Sequence, residues 1–303
     1  MGLGVLCPGQ GSQGPGMFDL LAADEAAQRV LAEASAAFGQ DLRALAKAST
    51  EIHRNRIAQP LLCATEAATW AALKPHLPAP RVFAGYSVGE LAAYGCAGAL
   101  SVTQLVELAR RRALLMDEAS RTPGGLVAVR GLRRPQIDQL CHRFGAQVAI
   151  VNGIDRFVIG GGAETIAALQ EAASALGGTV NSLPVEVAAH TSTLAAASEG
   201  FGAELAASGM VAPVVPVLAG VHGMPVYTRD DAIVALSRQI STTIDWSACL
   251  TTLAELGCTA LLELGPGRAL SRMARDAFPD LPARSVADFR SFPGVIDWVT
   301  NHL

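Results

Sequence analysis

No stretch of this chain strings together 18 apolar residues, and its start has no basic segment ahead of its five-residue apolar run. Neither a membrane span nor a signal peptide is expected, and the predicted location is the cytoplasm. Basic excess is missing too: the 303 residues carry a net charge of -4, and the one basic run is Arg110 to Arg112. Neutralising phosphates along a nucleic acid needs clustered cations, so nucleic-acid binding is excluded as a main role. The six cysteines contain no CxxC pair and no histidine at metal-ligand spacing, so they read as small apolar fillers in a reducing compartment. Internal repeats and low-complexity tracts are also lacking, beyond a general richness in alanine.

What is present is apolar: half the residues are hydrophobic, enough for a large core in one or two domains. Residues 3 to 7 read as a buried strand, ended by Pro8-Gly9 and a glycine-rich loop, GQGSQGPG. Helical patterns are predicted over residues 18 to 38, 41 to 47 and 57 to 73, and the strand RVFAG follows. Ser101 and Gln104 form a capping box for a helix over residues 102 to 119.

From Gly125 the order changes to strand, helix, strand, strand, helix and strand, the last spanning residues 179 to 187. That βαββαβ order is ferredoxin-like. The strand VVPVLAG, two helices, the strand ALLELG and a further helix then resume the alternation. The predicted class is α/β: a large domain with a parallel sheet from residues 1–123 and 189–303, with a ferredoxin-like subdomain inserted over 124–188. A ligand cleft is expected between them.

Gly85-Tyr86-Ser87-Val88-Gly89 lies between strand and helix and matches the G-x-S-x-G nucleophile elbow. The helix beginning after Ser87 would point free N–H groups and its positive end at a developing oxyanion. A serine nucleophile needs a base. Of the six histidines, His53, His76, His142, His222 and His302 lie in polar or terminal stretches. His190 differs, closing the last subdomain strand where the chain re-enters the large domain. Nine acids lie between Ser87 and His190, from Glu90 to Glu186, and none stands out as a triad member.

Arg112 falls within the buried stripe of Leu105, Leu108, Ala109, Leu115 and Met116, whereas Arg110 and Arg111 turn away from it. A buried guanidinium keeps its charge and requires a partner. Two readings stay open at this point: an internal ion pair with a glutamate such as Glu90 or Glu263, or a clamp for a substrate carboxylate. GQGSQG also fits G-x-G-x-x-G, but Pro15-Gly16 blocks the helix that a dinucleotide site requires.

Together PGQGSQ, GYSVGE, RALLM, VAAH, SRQ and GPGRAL, in this order over nearly the whole chain, resemble the malonyl-CoA:acyl carrier protein transacylase family. The resemblance implies an α/β-hydrolase-like large domain with an inserted ferredoxin-like subdomain. It further implies Ser87 as acyl-accepting nucleophile, His190 as general base and acid, and Arg112 as holder of the malonyl carboxylate. Gln10 and Val88 would supply oxyanion N–H groups, and the Gln239 backbone carbonyl would orient the histidine. No bound cofactor or metal is implied; malonyl-CoA is the expected substrate, and a phosphopantetheine-like thiol on an acyl carrier protein the acceptor. Tyr86, Val88 and Ala189 depart from the usual histidine, leucine and serine. The stretch GYSVGELAAYGCAGALS, the compact length and the SVADFRSFPGVIDW tail look most like the epsilon subunit of biotin-independent malonate decarboxylase, which serves a carrier subunit of that enzyme. The alternatives are a transacylase of fatty-acid or polyketide synthesis and a serine esterase or thioesterase.

Overall fold

A computed structural model describes residues 2–48, 51–120, 122–185 and 187–303. The first strand, β1 (Leu3–Cys7), is buried at every position and lies inside a six-stranded sheet. Three helices, α1 (Glu25–Phe38), α2 (Leu42–Ala48) and α3 (Asn55–Leu73), lead to β2 (Val82–Gly85), and α4 (Val88–Cys96) and α5 (Val102–Ala119) follow. The second sheet begins with β3 (Gly124–Arg130), α6 (Arg134–Phe144), β4 (Gln147–Gly153), β5 (Arg156–Gly162), α7 (Ala163–Ala175) and β6 (Thr179–Ser182). The chain then returns through α8 (Ala195–Ala207), β7 (Val217–Leu218), β8 (Pro225–Val226), α9 (Arg229–Gln239) and β9 (Ile244–Asp245). It finishes with α10 (Trp246–Glu255), β10 (Ala260–Glu263), α11 (Ala269–Ala277), β11 (Ala283–Ser285) and α12 (Phe292–His302).

The larger sheet has the order β11-β10-β1-β2-β7-β8, parallel throughout except for β8, which runs antiparallel to β7. Helical crossovers impose the parallel pairing and cover both faces, which is why these strands are short apolar runs rather than alternating ones. The α/β class expected from sequence is the one observed. The smaller sheet has the order β6-β3-β5-β4-β9. Its first four strands pair antiparallel in the ferredoxin-like arrangement, and β9 adds parallel to β4 from a later part of the chain. Val127, Val129, Ile137, Leu140, Ile159 and Leu169 give this sheet a core of its own. Among the described residues no helix is long and apolar enough to cross a membrane.

Three local expectations are corrected. The first helix begins at Glu25, after a short 3-10 turn at Asp19–Leu21, because the Asp24 side chain accepts from the Ala27 N–H and starts a new helix there. The strand expected over VVPVLAG shrinks to Val217–Leu218, since Pro213 and Pro216 cannot donate to a ladder. The last subdomain strand stops at Ser182 rather than reaching residue 187. Pro184 has no N–H, and Val185 N–H turns back onto the Leu183 carbonyl at 2.8 Å, which ends the extended run. His190 is therefore not at a strand end but in a turn.

Candidate active site

The turn from β2 into α4 crosses directly over β1, so its flanks must lack side chains. A Cβ on Gly85 would lie 2.2 Å from the Glu90 backbone, and one on Gly89 would lie 2.0 Å from the Cys7 carbonyl oxygen. Between them Ser87 takes φ 56° and ψ −121°, a conformation that side chains ordinarily avoid. Its hydroxyl is thereby presented at the positive end of α4. The Val88 N–H, first in that helix, has no acceptor within it.

The glycine-rich loop after β1 closes over the same turn. A Cβ on Gly9 would meet the Tyr86 carbonyl at 2.7 Å and Ser87 Cβ at 3.4 Å, so Gln10 follows immediately beside the serine. Among the described residues the Gln10 N–H finds no backbone acceptor, and its side-chain Nε2 is buried without a partner. Among the described residues, neither of the N–H groups named from sequence, on Gln10 and Val88, has a hydrogen-bond acceptor. Tyr86 and Trp246 meet edge-on, 5.5 Å between ring centroids, and the Asn152 side chain on β4 lies beside the Tyr86 hydroxyl. Burial pushes that phenol up to about 12, so it stays protonated.

His190 is 1 % exposed and stands opposite, with Nε2 2.9 Å from Ser87 Oγ and Nδ1 2.6 Å from the Gln239 carbonyl oxygen. A carbonyl only accepts, so Nδ1 carries the proton and Nε2 receives the serine hydroxyl. Burial, and after it the nearby Arg112 charge, lower the imidazole to about 3, so it is a neutral acceptor at pH 7. The other five histidines are exposed.

Arg112 is buried, as the stripe on α5 predicts, while Arg110 and Arg111 face solvent and Arg111 pairs with Glu204. Its guanidinium donates to Gln59 Oε1 at 2.8 Å and to Gln239 Oε1 at 2.9 Å. Among the described residues no carboxylate forms an ion pair with it. Glu263 instead accepts the Leu270 and Ser271 N–H groups, at 3.2 and 2.9 Å. Glu90 accepts from Gly220 N–H at 3.0 Å and from Gln239 Nε2 at 2.7 Å. Burial lowers Arg112 to about 10, still a cation at neutral pH, held by two neutral amides and able to take an anion.

Gln239 therefore does more than orient the histidine: its side chain also joins Arg112, Glu90 and the Ser87 carbonyl, the last at 2.8 Å. Sequence reasoning misses Gln59, and it offers Glu90 only as an ion-pair partner of Arg112, not as the acceptor for Gln239. The one signal for Gln59 is its place beside Pro60 in α3, a helix buried on nearly every face. Glu186, the last of the acids considered for a triad, lies outside the described residues. A groove of about 1070 Å³ runs nearby, lined by Asn55 one turn before Gln59, by Asp117, Gly124 and Leu183, and by Val187 three residues before His190. The glycine-rich loop leads into no helix before Asp19, so the dinucleotide reading has no phosphate site.

Elbow, serine–histidine pair and parallel sheet together define an α/β protein of the nucleophile-elbow class. The acyl transferase domain family model matches residues 5–289. Among curated proteins, the malonyl CoA-acyl carrier protein transacylase of Escherichia coli O157:H7 is 32% identical over 291 residues, covering 92% of this chain and 94% of the relative. The structure of the malonyl CoA-acyl carrier protein transacylase from Coxiella burnetii superposes with a TM-score of 0.94 at 25% identity, over 100% of this chain and 98% of that one. A malonyl-transacylase solved in complex with its type II PKS acyl-carrier protein gives 0.93 at 29% identity, over 98% and 99%. The chain belongs to the acyl transferase family and is an acyltransferase.

Proposed function

We propose that the protein transfers a malonyl group from malonyl-CoA, through an ester on Ser87, to the phosphopantetheine-like thiol of an acyl carrier protein. The observation that carries this reading is Arg112: a buried cation with only amide partners, bound to the same Gln239 that holds His190. A neutral acyl group has no use for it, and a free carboxylate at the far end of the acyl chain does.

His190 Nε2 takes the Ser87 proton as Oγ attacks the thioester carbonyl, and the Gln10 and Val88 N–H groups receive the oxyanion. The tetrahedral centre collapses with loss of the CoA sulfur, which leaves with the proton from Nε2. The carrier thiol then gives its proton to Nε2, attacks the malonyl ester, and Oγ departs with that proton. Neither step needs a cofactor.

The relatives support the choice of acceptor: the curated one named above is a malonyl CoA-acyl carrier protein transacylase, and a solved neighbour is in complex with an acyl-carrier protein. That supports a carrier of fatty-acid or polyketide type over the carrier subunit of a malonate decarboxylase. The narrower decarboxylase reading rests on the stretch GYSVGELAAYGCAGALS, the compact length and the C-terminal tail. The test is to present malonyl-CoA with either a phosphopantetheine-bearing acyl carrier protein or a carrier bearing phosphoribosyl-dephospho-CoA. Malonyl transfer should exceed release of free malonate by at least about tenfold. Free malonate as the main product contradicts transferase function and supports the thioesterase alternative. Preference for the second carrier restores the decarboxylase assignment.

A further inference from the structure

Glu90 stands three residues past Ser87 on the first turn of α4, with its side chain fully buried. Burial raises its carboxyl to about 7. Such a group is costly in a core unless its oxygens are used. Oε1 has no partner, whereas Oε2 accepts two donors, the Gly220 N–H and Gln239 Nε2.

The second hydrogen of Gln239 Nε2 goes to the Ser87 carbonyl oxygen. Both amide hydrogens are thus spoken for, and the amide oxygen is left facing Arg112. A primary amide turned through half a revolution exchanges its nitrogen and oxygen. Turned that way, Gln239 would set N–H against the guanidinium, donor to donor, and its oxygen against two acceptors. Glu90 and the Ser87 carbonyl therefore decide which way Gln239 faces. Glu90 makes no hydrogen bond to Arg112 or His190, although its charge and that of the guanidinium act on each other through space: among the described residues no carboxylate forms a salt bridge to Arg112, and the histidine Nδ1 is taken by the Gln239 carbonyl. Its hydrogen bonds reach both through one amide.

We propose that Glu90 is a positioning residue for acyl-group selection: by accepting from Gln239 it fixes the amide oxygen that aims Arg112 at the carboxylate of the incoming acyl group. This rests on the reading of Arg112 as the carboxylate clamp. The arrangement places selection and catalysis on one residue, since Gln239 holds the guanidinium through its side-chain amide and the imidazole through its backbone carbonyl.

The test compares Glu90→Met, similar in length but with only a weak thioether acceptor, with Glu90→Gln, which keeps an acceptor oxygen and loses the charge. Arg112→Ala is run in parallel. Steady-state kinetics on malonyl-CoA and acetyl-CoA are read for each, with thermal unfolding as a check on folding. Glu90→Met should lose at least about tenfold more kcat/KM on malonyl-CoA than on acetyl-CoA, mostly as a rise in KM, and Glu90→Gln should recover most of that preference. Gln239→Met should show the same asymmetry and serves where Glu90→Met does not fold. Equal losses on both acyl groups in the folded Glu90 and Gln239 variants, beside an asymmetric Arg112→Ala, overturn the positioning role alone. An Arg112→Ala variant that loses both equally overturns the clamp, and this proposal with it.

Discussion

Ser87 and His190 are the two non-glycine residues with positive φ in the described chain, at 56° and 62°, and their side chains meet at 2.9 Å. Backbone strain is concentrated at the two groups that would exchange a proton. Such conformations cost on the order of 1–3 kcal/mol each and persist where the surrounding structure enforces them. Here the enforcement is visible: Gly85 and Gly89 pin one turn against β1, and the His190 N–H bonded to the Ile240 carbonyl at 2.8 Å holds the other.

Relieving the strain at position 87 should therefore stabilise the fold while removing the hydroxyl. Ser87→Gly is expected to be more stable than Ser87→Ala by about 1 kcal/mol, after allowing for the greater freedom of glycine in the unfolded chain. Denaturant unfolding of the two variants measures the difference. Equal stability, or the opposite order, would show that the serine conformation is not strained.

The buried imidazole makes a signed prediction about acid. Its folded pKa is lowered to about 3 from 6.5, so its contribution to stability is complete above about pH 6.5 and is lost as pH falls toward 3. Wild type should lose stability relative to His190→Gln between pH 6.5 and 4, with a slope of at most about 1.4 kcal/mol per pH unit. A difference independent of pH in that range contradicts a neutral, buried histidine.

Glu90 carries the opposite sign. Raised from 4.5 to about 7, it contributes stability that is complete below about pH 4.5 and is lost as pH rises through 7. Compared with Glu90→Gln, the wild-type melting temperature should therefore fall between pH 5 and 8. If the two proteins keep a constant offset, the carboxyl is not held in its protonated form.

The elbow glycines differ sharply from Gly14 in the neighbouring loop. A methyl at Gly89 would overlap the carbonyl oxygen of Cys7 in a central strand, and neither backbone can yield. Gly89→Ala should cost more than about 4 kcal/mol and prevent soluble accumulation, whereas Gly14→Ala, with nothing within 4 Å, should be close to neutral. Comparable soluble yields of both variants would mean that the turn does not cross β1 as closely as the structure shows.

Much of this site is legible in the sequence because three of its members leave local marks. Ser87 lies between two glycines at a strand-to-helix junction, Arg112 interrupts an apolar stripe of 3–4 spacing, and a histidine in an apolar context stands out from five polar ones. The partners of Arg112 leave none. Gln59 and Gln239 lie 53 and 127 residues away, and Glu90 is 149 residues from the amide it fixes. A single polar side chain in a buried helix has no periodic signature, so only folding shows what it faces. The same holds for β8 and β9, two residues each, whose pairing is set by neighbours rather than by strand-forming sequence. The misplaced end of β6 has a different origin. LPVEV reads as a strand by composition, yet Pro184 and the edge position of that strand remove the ladder it would need.

The account stands on the serine as the atom that carries the acyl group, and intact-mass analysis after brief exposure to malonyl-CoA tests it most directly. One malonyl adduct per chain is expected, mapped by peptide digestion to Ser87 and absent from Ser87→Ala. An adduct that survives on Ser87→Ala, or that maps to another residue, would contradict it.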